Sequence, residues 1–195
     1  VVGQGLAHPH EHDVAHAPRP LAVARALGLV TELGALGTIG ADDPALGDFR
    51  KEFSGVVGTF AEYPTPEDAR HPGFEGAIEI VDHMTLYAKL AVTPDERAAV
   101  REYLRARLLD LFISDFDRHR KQWRWAKRKG DDLWHPIPED RDQAFARYEG
   151  MAVRMVAGYV PQLRTFGPDY DRMTGLTYNG REQDRWLLPQ LERGV

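Results

Sequence analysis

The sequence predicts an α+β fold, in which a partial N-terminal segment of helix and strands precedes a mainly helical segment that carries a β-hairpin. A capped helical pattern covers residues 93–113, and two β-prone runs flank a Lys-Gly-Asp-Asp turn at residues 129–132. From residue 143 onward the chain is predicted to be mostly helical, with GPDYDRMTGLTYNG (residues 167–180) as a loop-rich interruption. With 195 residues and 43% hydrophobic side chains, the chain can bury a core.

The first predicted segment covers residues 1–63. It begins with a histidine- and proline-rich stretch, and a proline-started amphipathic helix is predicted over Leu21 to Leu29. The glycine-rich residues that follow favour β-structure. Within them, residues 55–64 (GVVGTFAEYP) are the best strand candidate, ended by Pro64.

The second predicted segment covers residues 64–195. A helical pattern in residues 71–92 runs through Ile78, Val81, Leu86 and Leu90. The clearest helix follows, with an N-cap, a first-turn proline and a capping box predicted at Thr93, Pro94 and Glu96. Its predicted apolar stripe consists of Leu104, Leu108, Leu111 and Phe112. The hairpin strands are predicted at residues 122–126 and 133–137.

Composition narrows the function classes. The chain has 25 basic and 30 acidic residues, a net charge of −5, so its overall field does not favour nucleic acid or an anionic membrane. It has no cysteine, which excludes disulfides and thiolate chemistry within it. The least polar stretch, residues 26–40, is interrupted by Glu32 and by glycines, so no membrane insertion is predicted. No signal peptide is visible. The chain starts at VVGQG without a methionine and stops at LERGV, which indicates a piece of a longer polypeptide.

Two acidic motifs flank the predicted hairpin. The long helix ends in DFDRHRKQWRW, and PEDRDQAF follows the second strand. A helix end and the residues after a hairpin meet at the same edge, which would gather Asp115, Asp117, Gln122, Asp140 and Asp142. Phosphoryl transfer needs such a group, because a carboxylate must orient the acceptor and oxygen ligands must hold Mg²⁺.

These motifs resemble the catalytic core of atypical kinases. The pattern of DFDRH, Gln122, a hairpin and DRDQAF is similar to the secretory-pathway kinases, the spore-coat CotH kinases, HipA and the phosphoinositide kinases. The ordered stretches AHPH…PLAVARALGLV, LLDLFISDFDRHRKQWRWA, PIPEDRDQAF and LTYNGREQDRWLLP resemble the kinase-like region of large bacterial envelope proteins, over most of the chain. There, the region lies between a calcineurin-like phosphoesterase and a surface-antigen β-barrel.

The resemblance implies a protein-kinase-like fold with an incomplete N-terminal lobe and a helical C-terminal lobe. It implies ATP and Mg²⁺ as cofactors, an unknown phosphate acceptor and a bacterial envelope location. Asp117 would be the catalytic aspartate, braced by Arg118 and His119. Metal would be held by Gln122 and by Asp140 or Asp142, between which spacing does not choose. The adenine would meet a hinge at residues 60–64 that includes Glu62 and Tyr63, with Gln122 also near the nucleotide.

Several functions stay open at this point. No phosphate-covering glycine loop and no ATP-anchoring lysine precede Leu21, so the chain alone is expected to bind nucleotide weakly. Many kinases have a metal-binding asparagine where this chain has Gln122. The glutamine keeps an oxygen ligand but has a longer side chain, which would alter the geometry of a site that holds two metal ions. The alternatives to a phosphotransferase are a non-catalytic, pseudokinase-like scaffold that uses its motifs for internal ion pairing, and a metal-dependent phosphohydrolase.

Other features have more than one interpretation. If helical, His8, His12 and His16 share a face that could bind zinc, with His10 nearby, but there is no H-E-x-x-H motif. The basic residues between positions 118 and 129 could neutralise phosphate, bind nucleic acid or form a solvated hairpin tip. Trp123 and Trp125 share a strand face, which favours core packing over ligand stacking. The whole DFDRHRKQWRW stretch could also be an ion-paired loop.

Overall fold

A computed structural model describes residues 35–38, 40, 44–60, 63–170 and 172–193. Within them the fold is α+β, as the sequence predicts. The helix predicted over Leu21 to Leu29 and the N-terminal histidines lie outside the described residues. The strands are β1 (Ala35–Thr38), β2 (Val57–Phe60), β3 (Ala77–Asp82), β4 (Arg97–Ala98), β5 (Trp123–Arg128) and β6 (Leu133–Pro138).

The helices are mostly short. The α-helices are α1 (Arg50–Phe53), α2 (His83–Val92), α3 (Val100–Phe112), α4 (Met151–Ala157), α5 (Thr174–Thr177) and α6 (Arg181–Leu187). The 3₁₀ segments are Pro44–Phe49, Phe74–Gly76, Arg120–Gln122 and Leu188–Arg193. The region after residue 143 is therefore helical only in part, because irregular chain separates α4 from α5.

Two sheets are present in the described residues. β1 and β2 form an antiparallel pair, which confirms a strand inside residues 55–64. The larger sheet has the order β3-β5-β6-β4. β5 and β6 are an antiparallel hairpin with Trp123 opposite Pro138, so the predicted hairpin is confirmed. β3 pairs antiparallel with β5, and the two-residue β4 pairs parallel with β6.

The helical pattern predicted in residues 71–92 is wrong in its first half. Ile78 and Val81 lie on β3, and the helix begins only at His83. Asp82 ends the strand and caps the helix, because its carboxylate accepts a hydrogen bond from the Thr85 backbone N–H at 2.8 Å. Pairing with β5 thus overrides the helical spacing of the apolar residues.

The predicted capping box is also wrong. Thr93 is the C-cap of α2, and its N–H donates to the Lys89 carbonyl at 2.9 Å. Residues 97–98 then join the sheet as β4, so α3 starts at Val100 and has no side-chain cap. A strand register that needs these residues extended prevents the helix from starting earlier.

The apolar stripe predicted for this helix is not its buried side, because Leu104 and Leu111 are only half-buried and the other two members are exposed. Leu108 is 55% exposed and Phe112 is 78% exposed. The buried side of α3 instead carries Tyr103, Ala106, Arg107 and Asp110. Two of these residues are charged, and they can be buried because they bind partners inside the fold.

The main core lies between the large sheet and the helices α2, α3 and α6. Trp123 and Trp125 are 1% and 0% exposed, so their prediction as core residues is confirmed. Their rings lie 6.2 Å apart by centroid, and the Tyr103 ring lies 4.8 Å from that of Trp123. The other members of this cluster are Val81, Leu86, Ala98, Val100, Ala106, Trp134 and Leu187.

Candidate functional site

Arg118 is the centre of the loop that follows α3. Its side chain is fully buried. The guanidinium donates to Asp110 at 3.0 Å through Nε and to Asp115 at 2.8 Å through Nη2. It also contacts the face of Trp123, with Cζ 5.4 Å from the ring centroid. Arg118, which was predicted to support this loop, contacts only groups inside the fold through these bonds.

Asp110 gathers three buried or half-buried guanidinium groups. Besides Arg118, it accepts hydrogen bonds from Arg107 Nη1 at 3.3 Å and from Arg141 Nε at 3.1 Å. The Asp110 side chain is itself fully buried. Asp110 is stabilising because it supplies counter-charge to these cations, together with Asp115 for Arg118 and Asp184 for Arg107.

Arg118 also joins the two acidic motifs to each other. Its Nη1 donates to the Gln122 carbonyl at 3.2 Å and to the Glu139 carbonyl in the second motif. The backbone N–H of Phe145 donates to the Ile113 carbonyl at 2.8 Å. The loop after α3 and the loop after β6 are thus held side by side.

The backbone of these two loops includes sparsely populated conformations. Ser114, Asp140 and Phe145 have φ of 61°, 55° and 58°. Among the described residues, Glu75 is the only other non-glycine residue with positive φ. Such conformations persist only where surrounding contacts impose them, and they concentrate at functional sites.

Asp115 belongs to the buried network. Burial raises the pKa of Asp115 to about 6, while the neighbouring Arg118 opposes this rise. Its Oδ1 atom is buried and has no hydrogen-bond partner among the described residues. Its role is therefore to neutralise Arg118, and it is a poor candidate for contact with a substrate.

Asp117 is in a different environment, half-buried and without an arginine partner in the described part of the chain. Its Oδ1 accepts a hydrogen bond from Asn179 Nδ2 at 3.0 Å, and the same amide donates to the Phe116 carbonyl at 3.2 Å. The Asn179 amide thus holds both the Asp117 carboxylate and the backbone carbonyl of the preceding residue. A neutral amide holds the carboxylate without consuming its charge.

His119 and Gln122 close a short 3₁₀ turn. His119 Nδ1 accepts from the Lys121 N–H at 3.2 Å, and Gln122 Oε1 accepts from the His119 N–H at 3.3 Å. The remaining Gln122 amide nitrogen donates to Asp140 Oδ2 at 3.4 Å. In this orientation the oxygen predicted to bind metal is occupied by a backbone N–H.

Asp140 and Asp142 are both exposed, and the Asp142 N–H donates to Asp140 Oδ1 at 3.4 Å. Their carboxylates are the donor type that Mg²⁺ prefers. In the ranges that the structure describes, no three carboxylate or imidazole groups converge to form a metal cluster. The two aspartates therefore supply suitable oxygens, and further ligands would have to come from a bound molecule or from water.

Tyr148 lies close to both acidic loops. Burial raises the pKa of its phenol, and the charges of Asp142, Asp117 and Asp115 raise it further. Its ring packs edge-on against Phe116 with centroids 5.7 Å apart. The Tyr148 hydroxyl therefore lies within the electrostatic influence of carboxylates from both motifs.

Of the predicted hinge, residues 60, 63 and 64 are described, and Glu62 lies outside the described residues. Tyr63 is exposed and lies under the Arg124 guanidinium, 5.0 Å from its ring centroid to Cζ. Arg124 also donates to Glu139 Oε1 at 2.8 Å. A pocket of about 390 Å³ adjoins Arg124 and Glu139, and its other lining residues include Asp82, His83, Arg120 and Lys121.

Comparison with protein-family models, curated proteins and solved structures found no match to this chain. None of the helices in its described residues is long and apolar enough to cross a membrane.

The stretch LTYNGREQDRW contributes residues to the site that sequence reasoning did not assign. Besides Asn179, it supplies Gln183, whose amide, oriented to suit its neighbours, accepts from the Arg120 N–H at 2.8 Å. It also supplies Asp184, which binds Arg107 Nε at 2.8 Å. Its high density of polar residues was visible in the sequence, but nothing there placed it beside the loop that follows α3.

Gly180 makes the docking of this stretch possible. A Cβ atom at this position would lie 2.3 Å from Arg107 Nη2, well inside the contact limit. The absence of a side chain therefore lets the start of α6 approach the buried arginine closely.

Most of the basic run is used inside the fold. Arg118 is buried, and ion pairs join Arg124 to Glu139, Lys127 to Glu96 and Arg128 to Glu75. Arg120, Lys121 and Lys129 are exposed. This distribution does not form a continuous strip of unpaired cations along the hairpin, as a nucleic-acid surface requires.

Proposed function

We propose that the chain is the core of an ATP- and Mg²⁺-dependent phosphotransferase with a protein-kinase-like arrangement. One observation carries the proposal: the loops of the two acidic motifs lie side by side, and the carboxylates on them and on α3 fall into two sets, with Glu139 paired to Arg124 in the first set. Asp110 and Asp115 neutralise buried arginines. Asp117, Asp140 and Asp142 form no ion pair within the described residues and are left for external cations and substrate.

In this proposal Asp117 orients the acceptor hydroxyl and takes its proton. It is half-buried and fixed by Asn179, as a positioned general base must be. Arg118 supports it from beneath by tying the loop to the core. His119 keeps the turn between Asp117 and Gln122 closed.

Asp140 and Asp142 would hold Mg²⁺ when nucleotide is bound. The ion would neutralise the phosphate charge during transfer. The flexible exposed carboxylates can adjust to it, and rotation of the Gln122 amide would offer a further oxygen.

The nucleotide base is proposed to lie on the Tyr63 side of the site. The pocket beside Arg124 adjoins the predicted hinge and both motifs. Arg120 and Lys121 are exposed at its edge and can neutralise phosphate groups. The envelope location, and covalent linkage to a phosphoesterase and an outer-membrane barrel, are proposals that rest on the sequence resemblance.

A non-catalytic scaffold is a second candidate. It is favoured by the use of Arg118 and Asp115 in internal ion pairs, which a structural domain would also need. A scaffold gives no reason for the amide support of Asp117 or for its freedom from arginine. The two candidates differ in whether the exposed aspartates act on nucleotide.

The decisive experiment is Mg²⁺-ATP titration and phosphoryl transfer with the full-length protein. The Asp140→Ala, Asp142→Ala double variant should lose Mg²⁺-dependent nucleotide binding. Asp117→Ala should keep binding and lose transfer by at least about 100-fold, the scale of general base catalysis. The exposed Asp95→Ala is the matched control.

The site assignment fails if the double variant binds Mg²⁺-ATP as the parent does. Binding without transfer in the parent would favour the scaffold. Release of inorganic phosphate without an acceptor would favour a phosphohydrolase. The isolated 195-residue chain should show little nucleotide-dependent increase in melting temperature, and a large increase would contradict the expected need for a glycine loop and lysine.

A further inference from the structure

A second, open cleft is lined by Asn179, the residue that holds Asp117. It has a volume of about 850 Å³ and lies between α2 and the stretch that contains α6. Asn179 lines this cleft and also donates its amide N–H to Asp117 Oδ1. The Asn179 side chain therefore connects the cleft wall to the proposed general base.

Aromatic rings form the walls of this cleft. Tyr87 packs on Trp186 with ring centroids 3.9 Å apart. Tyr178, which directly precedes Asn179, also lines the cleft. Tyr178 is 45% exposed and Trp186 is 37% exposed. Partly exposed rings in a concave surface offer flat apolar faces, which suit the C–H faces of a sugar ring.

Cations outnumber anions among the residues that line the cleft. Arg181 and Arg185 lie one turn apart on α6, and neither has an ion-pair partner among the described residues. The Arg181 guanidinium lies 5.2 Å from the Tyr178 ring centroid, so it is already held in the wall. Glu182 is the one acidic residue of the lining. Planar guanidinium groups bind carboxylates through paired hydrogen bonds.

Tyr87 offers an unused hydrogen-bonding group at the same place. Its hydroxyl is buried and has no partner among the described residues. Burial raises the pKa of this phenol, and the charges of Glu182 and Asp184 raise it further, so the hydroxyl stays a donor at neutral pH. A ligand oxygen that entered the cleft deeply would satisfy it.

We propose that this cleft binds an acidic saccharide whose hydroxyl is the phosphate acceptor, an inference that rests on the proposed function. The rings would pack on the sugar, and Arg181 and Arg185 would bind its carboxylate. Asp117 would take the proton of the hydroxyl while the hydroxyl oxygen bonds to the γ-phosphorus of ATP. The bond from that phosphorus to the β–γ bridging oxygen would break, and ADP would leave.

The position of the tryptophans makes the cleft directly measurable. The chain has four tryptophans, of which Trp123, Trp125 and Trp134 are at most 1% exposed. Quenching of fluorescence by acrylamide should therefore report mainly on Trp186. A tetramer of galacturonic acid should protect Trp186 from acrylamide, and the neutral methyl ester of the same tetramer should protect it at least tenfold less well.

Substitutions test the assignment of the charge. Arg181→Gln with Arg185→Gln should weaken binding of the acidic tetramer by at least tenfold. Arg101→Gln with Arg105→Gln removes the same charge from an exposed part of α3 and should change the affinity less than twofold. Equal binding of the acid and its ester, equal loss in both double variants, or no protection at millimolar tetramer would overturn the proposal.

The same titration separates this inference from the proposed function. Asp117→Asn should bind the acidic tetramer within twofold of the parent and fail to phosphorylate it. Arginine-dependent binding by the 195-residue chain, without transfer from Mg²⁺-ATP by the full-length parent, would leave the saccharide site standing and count against the phosphotransferase. Transfer to an acceptor that leaves Trp186 unprotected would support the phosphotransferase and overturn the saccharide site.

Discussion

Asp117 and Arg118 are neighbours in the sequence, but their side chains have different surroundings. Arg118 is fully buried and binds two carboxylates and two carbonyls. Asp117 is half-buried and is held by a single amide. The reversal of side-chain direction between adjacent residues lets one short loop serve both the stability of the fold and the proposed chemistry.

The first prediction concerns Asp110, which accepts hydrogen bonds from Arg107, Arg118 and Arg141. Asp110→Asn removes the charge and leaves these guanidiniums with less compensation. The free energy of unfolding should fall by about 3–5 kcal/mol, the usual cost of breaking a buried ion pair.

Urea unfolding measures this effect, with Asp95→Asn as the control. Asp95 is exposed, so its substitution should change the unfolding free energy by no more than about 0.5 kcal/mol. A loss below about 1 kcal/mol for Asp110→Asn would show that the network contributes little to stability.

The residues of the site were predictable to different degrees. Both acidic motifs and the hairpin between them are local in sequence, so their proximity follows from short-range geometry. The distinction between Asp115 and Asp117 was expected only from the resemblance, and burial now supplies a physical reason for it. Asn179 could not be assigned, because its contact with Asp117 spans 62 residues and has no local signature.

At the scale of elements, α3 is the clearest departure from expectation. Its leucines have helical spacing, and spacing alone indicates that they face the core. The structure buries the opposite side, where Arg107 and Asp110 meet partners from the loop and from α6. A hydrophobic pattern cannot reveal which side of α3 is buried, because the stabilising ion pairs join this helix to residues that lie elsewhere in the sequence.

The second prediction follows from that orientation. Leu108→Ala should cost no more than about 0.5 kcal/mol, because this side chain is mostly exposed. Leu187→Ala on α6 should cost about 2–5 kcal/mol, because its side chain is fully buried in the main core. Thermal or urea unfolding of the two matched variants measures the difference, and a larger loss at Leu108 would contradict the described face of α3.

For the whole molecule, two buried histidines link stability to pH in opposite directions. His83 accepts from Trp125 Nε1 at 3.0 Å, and burial lowers its pKa to about 4. His135 lies between Glu102 and Asp131, at 2.9 and 2.6 Å. The hydrogen bond to Glu102 raises the pKa of His135. Burial lowers it, but the hydrogen bond to Asp131 and the charge of Glu102 add to the rise, so the net shift of the pKa is upward.

The third prediction follows from these shifts. Below about pH 6.5 the unfolded chain protonates His83 more readily than the folded chain does, so stability falls as the pH drops toward 4. His135 has the opposite sign: its contribution is present below about pH 6.5 and is lost as the pH rises through its raised pKa.

Unfolding free energies at several pH values test both signs. His83→Gln should gain stability relative to the parent as the pH falls from 6.5 to 4, by about 3 kcal/mol over the full range at 1.4 kcal/mol per pKa unit. His135→Gln should show its largest deficit below pH 6.5 and a smaller one at higher pH. Parallel curves for the parent and both variants would contradict the assignment.

The amide that supports Asp117 also affects the order in which the site is assembled. The loop, the hairpin and the second acidic motif are close in sequence and can form early, since short loops close at low entropic cost. Asn179 and Gln183 arrive much later along the chain. A growing polypeptide that has reached residue 173 thus contains both acidic motifs but lacks the amide that orients Asp117. Phosphoryl transfer, if it occurs as proposed, would begin only after synthesis has passed the last of these contacts.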